Sequence, residues 1–492
     1  MADLEVLSTI RLEAQAQSHD VPAMGVWHRR VVEATEKLIA EITPQAAVAV
    51  TGFSEALAPT LRRGQLVVAT ELRTTAGSSA RALPTGEVVA NDLARRGLDV
   101  IAGQVVSTPR CPSGEVREAL VRQGALGIDS DSFFVSQALG HRPLVVVRVI
   151  AGGPCCGPLS GGIRAMSSLL AARWSLERWA GALRSRTVLL ATPRSFCAGV
   201  ERAIATVERA LERFGAPVYV RRQIVHNGYV VKALEAKGAV FVQELDEVPP
   251  CACVVLAAHG VSAAVRDEAS QRGDLLVIDA TCPLVSKVHK EVVRFTSQDY
   301  SVVLIGHANH EEVVGTMGEA PGKIHLVESL EDVDALELEP GARVAYLTQT
   351  TLATDETASI VSALRSRFSH LTGPPGEDIC YATQNRQDAL RALVEHCDLL
   401  LVIGSSNSSN SNRLVEVARR EGCRAELVED ETAINLGWLE DAEVVGITAG
   451  ASAPESLVQR AVSTLQLLGP VEVREVQTAD EAVSFALPRQ LR

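Results

Sequence analysis

Three cysteines far apart in the chain, Cys197, Cys282 and Cys380, share one setting. Each follows a strand-like run and opens a polar segment, in VLLATPRSFCAGV, LLVIDATCPLV and EDICYATQNR. Gaps of 85 and 98 residues cannot form a local clip, so only a fold can gather them. Three thiolates suit a cubane [4Fe–4S] cluster whose remaining iron is open to substrate, whereas ferredoxin-type carriers use four closely spaced cysteines. The pattern therefore points to catalysis at iron more than to electron carriage. None of the other cysteines (Cys111, Cys155, Cys156, Cys251, Cys253, Cys397, Cys423) has zinc-ribbon spacing, and they read as core or incidental thiols.

Other reactive side chains also follow apolar runs. His226, His259 and His310 could donate to phosphate, relay protons or ligate metal. Glu312 lies two residues beyond His310 and could deliver protons through a hydroxyl such as that of Thr350, while Glu311 reads as an exposed loop carboxylate. The turn GSSNSSNSNR places Ser408, Ser409 and Asn410 before a helical stretch, where hydroxyls, amides and free backbone N–H groups can hold an anion. Taken alone it is an N-cap in a solvated loop. A second such turn, TAGASAPESLV with Ser452, shifts the balance to phosphate. Neither GxxxxGK[ST] nor GxGxxG occurs, so nucleoside triphosphate and dinucleotide use lack support.

The elements that must position these groups are α/β. Short apolar runs (TVLLAT, APVYVR, CVVLAAH, LLVIDAT, SVVLIGH, RVAYLTQ, LLLVIGS, VVGITAG) alternate with helical ones, as in largely parallel sheets. Open α/β sheets bind ligands at the carboxyl ends of their strands, where the polar groups fall. The spacing predicts three similar α/β lobes after residue 186, each giving one cysteine. Before that lie a separate α/β region, residues 1–150, and a linker with a helix, residues 151–186, that begins AGGPCCGPLSGG.

With 492 residues, 47% hydrophobic and 22% charged, the chain can bury cores in several domains. It lacks a basic-then-apolar leader and any apolar run of membrane-spanning length, so a soluble, cytoplasmic protein with reduced thiols is expected. Net charge is −13, and residues 187–492 carry 43 acidic against 27 basic side chains, which argues against a nucleic-acid partner.

From residue 187 onward the ordered motifs PRSFCAGVERAI, VHNGYVV, AHGVSAAVR, DATCPLVSKVH, IGHANHEEVVGTMG, TQTTLATDET, EDICYATQNRQ, GSSNSSNSNRL and TAGASAP resemble the 4-hydroxy-3-methylbut-2-enyl diphosphate reductase family. The resemblance implies a three-lobed α/β protein around an iron–sulfur cluster held by Cys197, Cys282 and Cys380. It implies reductive removal of an allylic hydroxyl, giving isopentenyl and dimethylallyl diphosphates, as the last step of the non-mevalonate pathway. His226, His259, His310, Ser408, Ser409, Asn410 and Ser452 match substrate contacts, and Thr350 and Glu312 match the hydroxyl-handling and proton-delivering positions. Where many members read His-Pro-Glu, this chain reads His310-Glu311-Glu312. Ferredoxin or flavodoxin is the implied electron donor.

Residues 46–153 resemble the nucleoside phosphorylase/nucleosidase superfamily through AVAVTGFSEALAPTLRRGQLVVATEL and QGALGIDSDSFFVSQALGHRPLVVVRVIAGG. The family's D-M-E-S segment, whose glutamate holds ribose, reads Asp129-Ser130-Asp131-Ser132 here, and a glycine-rich phosphate loop has no counterpart before Ala46. This implies a non-catalytic, regulatory or packing role, with a nucleoside-binding module or weak phosphorylase as the alternative.

Overall fold

A computed structural model describes residues 4–8, 32–33, 35–37, 40, 47–75, 79–108, 112, 114–152, 162–338 and 341–492. Cys111, Cys155 and Cys156, with most of the Gly/Pro/Cys stretch, lie outside the described residues. The chain divides into two compact units. The first is Met1–Arg186 with Glu431–Glu443 and Ala461–Glu472; the second is Thr187–Asp430 with Val444–Arg460 and Val473–Arg492.

The first unit holds strands β1 (Leu4–Ser8), β2 (Ala47–Ala56), β3 (Leu66–Thr74), β4 (Ala80–Ala82), β5 (Val100–Ser107), β6 (Ala125–Asp129) and β7 (Leu144–Gly152). Its helices are α1 (Gly86–Arg95), α2 (Gly114–Arg122), α3 (Ser132–Leu139) and α4 (Gly162–Ala182). The sheet is mixed, not largely parallel: β2–β6, β3–β4 and β3–β7 pair antiparallel. Because β7 pairs with both β2 and β3, the strands β2, β6, β5, β3 and β7 close on themselves. An unbroken apolar run such as LVVVRVI reads the same in either direction, so the sequence does not reveal the orientation. Val48, Val67, Val105, Phe133 and Ile150 belong to its core. Inside it Arg148, with no exposed side-chain surface, pairs with Asp129 at 2.8 Å and Asp131 at 2.7 Å.

In the second unit, β8 (Arg186–Thr192) leads through Cys197 into α5 (Ala198–Phe214). The first lobe holds β9 (Val218–Arg221), β10 (Ala239–Val242), β11 (Cys253–Leu256) and β12 (Leu276–Asp279), with α6 (Gly228–Glu235) and α7 (Ala263–Gln271). Helix α8 (Pro283–Ser297) leads to the second lobe: β13 (Tyr300–Ile305), β14 (Ile324–Val327), β15 (Arg343–Thr348) and β16 (Leu371–Thr372), with α9 (Glu311–Met317), α10 (Leu330–Ala335) and α11 (Thr354–Arg367). Helix α12 (Tyr381–Val394) then precedes β17 (Leu399–Ile403), α13 (Ser409–Arg420), β18 (Ala425–Val428), β19 (Val444–Ala449), α14 (Glu455–Leu467) and β20 (Val471–Gln477), of which residues 461–472 group with the first unit.

These strands make three sheets, ordered β10-β9-β11-β12, β14-β13-β15-β16 and β18-β17-β19-β8-β20. Central strands β11 and β17 are buried throughout, as parallel strands covered on both faces must be. Leu399, Leu400 and Leu401 have no exposed surface. Truncating such a residue to Ala costs about 2–5 kcal/mol. All eight expected strands form in this unit, and β10, β14, β16, β18 and β20 are additional. Among the described residues no helix is long and apolar enough to cross a membrane.

Candidate active site

Each of the three spaced cysteines is the N-cap of a helix. Cys197 caps α5, Cys282 caps α8 with Pro283 at the first helical position, and Cys380 caps α12. An N-cap side chain faces free N–H groups and the positive end of the helix dipole, which favour a thiolate. Thr383 donates to Cys380 Sγ from its backbone N–H at 3.3 Å, and the two side chains lie 3.0 Å apart. Burial opposes this and prevails, pushing the Cys282 thiol up to about 12 and the Cys380 thiol up to about 11. Unassisted, these groups stay protonated; a bound cationic centre would deprotonate them.

The thiols fit a metal cluster on two further observations. A Cβ placed on Gly199 would lie 2.7 Å from Cys282 Sγ and 3.8 Å from Cys197 Sγ, so this glycine keeps open the space between two sulfurs. The three sulfurs do not all lie within 4.8 Å of one another, which is wide for one ion to bind all three.

Two arginines that the sequence reading passed over hold these segments. Arg386 on α12, fully buried, donates to Ser195 O at 2.7 Å, Phe196 O at 3.2 Å and Ala382 O at 2.9 Å, and pairs with Glu481 at 3.0 Å. Arg202 on α5 donates to Ala280 O and Thr281 O, both at 3.0 Å. The signal was present: Ala382, Thr383, Arg386, Gln387 and Leu390 follow helical spacing on one buried face, so Arg386 occupies a core position.

Polar groups line the same cavity as the thiols. Asn227 caps α6 by accepting from Tyr229 N and Val230 N, which fixes the loop carrying His226. The His226 and His259 rings stack with centroids 3.9 Å apart, and His310 meets His226 edge-on at 5.5 Å. Burial, then the neighbouring imidazoles, lowers His226 to about 3; burial and His259 lower His310 to about 4. His310 caps α9 and accepts Glu312 N–H on Nδ1 at 3.2 Å, which leaves its proton on Nε2. Glu311 is not an exposed loop carboxylate. It is half-buried at the start of α9, 3.5 Å from His259 and 3.8 Å from Arg222, because the helix turns it toward those side chains.

The serine/asparagine turn does form an N-cap, but it is not a solvated loop. Ser408 caps α13 and is 3% exposed; Asn410 is 5% exposed. Ser452 donates to His226 O at 3.1 Å, and its Oγ lies 3.3 Å from Ser408 Oγ. Asn410 accepts from Ala451 N at 3.0 Å, and Thr351 donates to Ser409 Oγ at 3.1 Å. Hydroxyls, an amide and the first turn of α13 thus make a cradle suited to a phosphate.

Glu312 is 3% exposed and receives two hydrogen bonds from Thr350, from N–H to Oε1 at 2.8 Å and from Oγ1 to Oε2 at 3.0 Å. Burial raises its pKa against those bonds, so the carboxyl holds a proton more tightly than usual.

All of these groups border one cavity: Cys197, Cys282 and Cys380; His226, His259 and His310; Glu312 and Thr350; Ser408, Ser409, Asn410 and Ser452. Tyr381, Thr383 and Phe485 also line it and were not anticipated. The remaining described cysteines stand outside it, with Cys397 and Cys423 sulfurs 3.7 Å apart.

Comparison with known proteins adds the following. Residues 188–466 match the family described as "LytB protein". The chain is 54% identical over 311 residues to the 4-hydroxy-3-methylbut-2-enyl diphosphate reductase of Neisseria meningitidis, covering 63% of this chain and 96% of that protein. It is similar to the solved E-1-hydroxy-2-methyl-but-2-enyl-4-diphosphate reductase from Plasmodium falciparum, with a TM-score of 0.60 and 38% identity over 63% of this chain and 97% of the other. A 5'-methylthioadenosine/S-adenosyl homocysteine nucleosidase from Helicobacter pylori matches 36% of this chain and 95% of its own at 16% identity, and its TM-score of 0.27 is too low to inform function.

Proposed function

The chain belongs to the LytB family of reductases, and from that premise we propose that it reduces 4-hydroxy-3-methylbut-2-enyl diphosphate to isopentenyl and dimethylallyl diphosphates. This is the last step of the non-mevalonate isoprenoid route. The observation that carries the reading is the meeting of three capped cysteines, a phosphate cradle and a buried proton-holding carboxyl around one cavity. A [4Fe–4S] cluster held by Cys197, Cys282 and Cys380, when bound, supplies electrons singly and a Lewis-acidic iron.

The chain's own residues do the rest. Ser408, Ser409, Asn410, Ser452 and the first turn of α13 anchor the diphosphate, with His226, His259 and His310 adding N–H donors. Anchoring one end of a five-carbon substrate fixes where its hydroxyl lies, so remote binding energy is used for position. Thr350 orients that hydroxyl and Glu312 gives it a proton, so that it departs as water. The balance is two electrons and two protons per substrate, yielding one water and one five-carbon diphosphate.

The electrons come from outside, from a ferredoxin or flavodoxin in the cytoplasm, since the chain carries no flavin or nicotinamide motif. The first unit is non-catalytic in this reading. The Asp131 carboxylate, in the place where nucleosidases use glutamate for ribose, is committed to buried Arg148.

The test is anaerobic purification, then assay with the allylic diphosphate and a strong one-electron donor while iron is measured. Turnover with about four irons per chain supports the reading. A full cluster that fails to turn over the substrate overturns it.

A further inference from the structure

Glu311 stands where many members of the family have proline, and it brings a carboxylate to two histidines that face a diphosphate. Beside an anion a carboxylate costs Coulomb energy, whereas beside a cation it contributes. One nitrogen of His226, one of His259 and one oxygen of Glu311 all lie within 4.8 Å of one another. Among the described residues no other three histidine, cysteine, aspartate or glutamate side chains form such a group. His259 Nδ1 and Glu311 Oε2 are 3.5 Å apart, which is long for a hydrogen bond. Neither His259 Nδ1 nor His226 Nε2 has a hydrogen-bond partner, although both atoms are buried. Donor atoms about 2.0–2.2 Å from a tetrahedral zinc ion stand about 3.3–3.6 Å apart, so the His259–Glu311 pair already has that spacing.

The three side chains come from three strand ends within the second unit. His226 follows β9, His259 follows β11, and Glu311 opens α9 after β13. Ala258 N–H donates to Ile224 O at 3.3 Å, which ties the first two turns together, and Asn227 and His310 cap α6 and α9. Arg222 approaches the other carboxylate oxygen, Oε1, at 3.8 Å, so Oε2 is left toward His259. Such an outer partner orients a metal-binding carboxylate, and the charge of Arg222 is itself balanced by Glu244 at 3.0 Å.

We propose that His226, His259 and Glu311 bind one divalent ion of the zinc type. Two imidazoles and a carboxylate are a zinc ligand set that leaves a fourth position for water. A site of nitrogen and oxygen donors ranks Zn²⁺ above Fe²⁺ and Mn²⁺, whereas Mg²⁺ keeps to oxygen ligands. The ion takes histidine nitrogens that hold the diphosphate in the reductase reading, so ion and substrate exclude one another. That consequence rests on the reductase reading; the ion site does not.

The test uses the anaerobically reconstituted full-length chain, with iron measured so that the cysteines are known to be occupied. Radioactive Zn²⁺ is followed by equilibrium dialysis in excess Mg²⁺, comparing wild type with Glu311→Gln and Glu311→Pro. Proline suits the first helical position, and His310 before it already has the extended backbone that a proline requires. The expected result is one saturable equivalent in the wild type. Both variants should weaken it by at least about 10–100-fold, the cost of losing an outer partner alone, with iron and circular dichroism kept. Zinc-edge X-ray absorption should show imidazole nitrogen at about 2.0–2.1 Å and no sulfur at about 2.3 Å. No saturable equivalent in the wild type, equal affinity in all three proteins, or sulfur around the zinc overturns the proposal. Turnover at chelator-buffered free zinc separates the two assignments. A fall in the wild type that both variants resist supports the ion site and the hold of these histidines on diphosphate together. Saturable zinc with undiminished turnover keeps the ion site and removes His226 and His259 from the diphosphate.

Discussion

Replacing Glu312 by Gln removes a proton-carrying oxygen while keeping shape. The two Thr350 bonds, at 2.8 and 3.0 Å, have a ready substitute. The amide oxygen still accepts Thr350 N–H, and the new NH₂ donates to Thr350 Oγ1, whose hydroxyl turns round. A neutral hydrogen bond contributes about 0.5–1.5 kcal/mol, so exchanging one for another moves stability by no more than about 1 kcal/mol. The sign at neutral pH favours the variant. Burial raises the folded-state pKa of Glu312 above its ordinary 4.5, so the folded protein binds this proton more tightly than the unfolded chain does. Wild-type stability therefore falls as pH rises from the ordinary value through the raised one, while the Gln variant is spared. Turnover behaves in the opposite way. Loss of a positioned general acid costs about 10²–10⁴-fold, or roughly 2.7–5.5 kcal/mol of barrier. The assay is product formation under anaerobic single-turnover conditions, beside thermal unfolding at pH 7 and pH 4. Turnover within a few-fold of wild type would refute proton delivery by Glu312, as would a drop in stability that parallels the loss.

Two other outcomes follow from geometry already described. Gly199→Ala places a Cβ 2.7 Å from Cys282 Sγ, so that sulfur must retreat by about 1 Å from ordinary contact. Overpacking of this kind costs about 1–3 kcal/mol, and iron bound after anaerobic reconstitution should drop while the circular dichroism is kept; full iron with the wild-type spectrum would show that the glycine is dispensable. His226 and His310 titrate near 3 and 4 in the folded chain against 6.5 ordinarily, beside His259 and Glu311. Their contribution to stability is complete above pH 6.5 and is lost as pH falls from there toward 3. The unfolding midpoint of the unliganded protein should fall over that range, less so in His226→Gln, and an unchanged slope in that variant would be contrary evidence.

Legibility followed the physics of each signal. Apolar runs announce strands, so β8, β9, β11, β12, β13, β15, β17 and β19 were readable, although β12 ends its sheet and is half exposed. Other edges were not: β16 has two residues and β20 (VEVREVQ) is mostly exposed polar sequence, so periodicity has little to register, while β10, β14 and β18, no shorter than β9, β11 and β12, were passed over. Cys197, Cys282 and Cys380 were readable because strand-to-helix turns collect at one end of an α/β sheet. Glu311 was misread because a carboxylate beside a turn looks solvated until a histidine from another lobe arrives next to it. Arg386 was missed for a related reason, since its partners Ser195 and Phe196 lie some 190 residues away in the chain. The grouping of 431–443 with the first unit was equally hidden, resting on contacts such as Arg95 to Ile434 O at 2.5 Å.

The arginine contacts have a mechanical consequence. Helix α5, which begins at Cys197, grips the Cys282 loop through Arg202, and the turn before it is gripped by Arg386 from the helix begun at Cys380. All three sulfurs are thus referenced to one rigid rod. Thermal agitation of α5 displaces the triangle of thiols as a whole, in common mode, while differential motion that would change its edges must first break charged hydrogen bonds. The triangle keeps its dimensions even as it drifts, which is what a fixed mounting for a multi-metal centre requires.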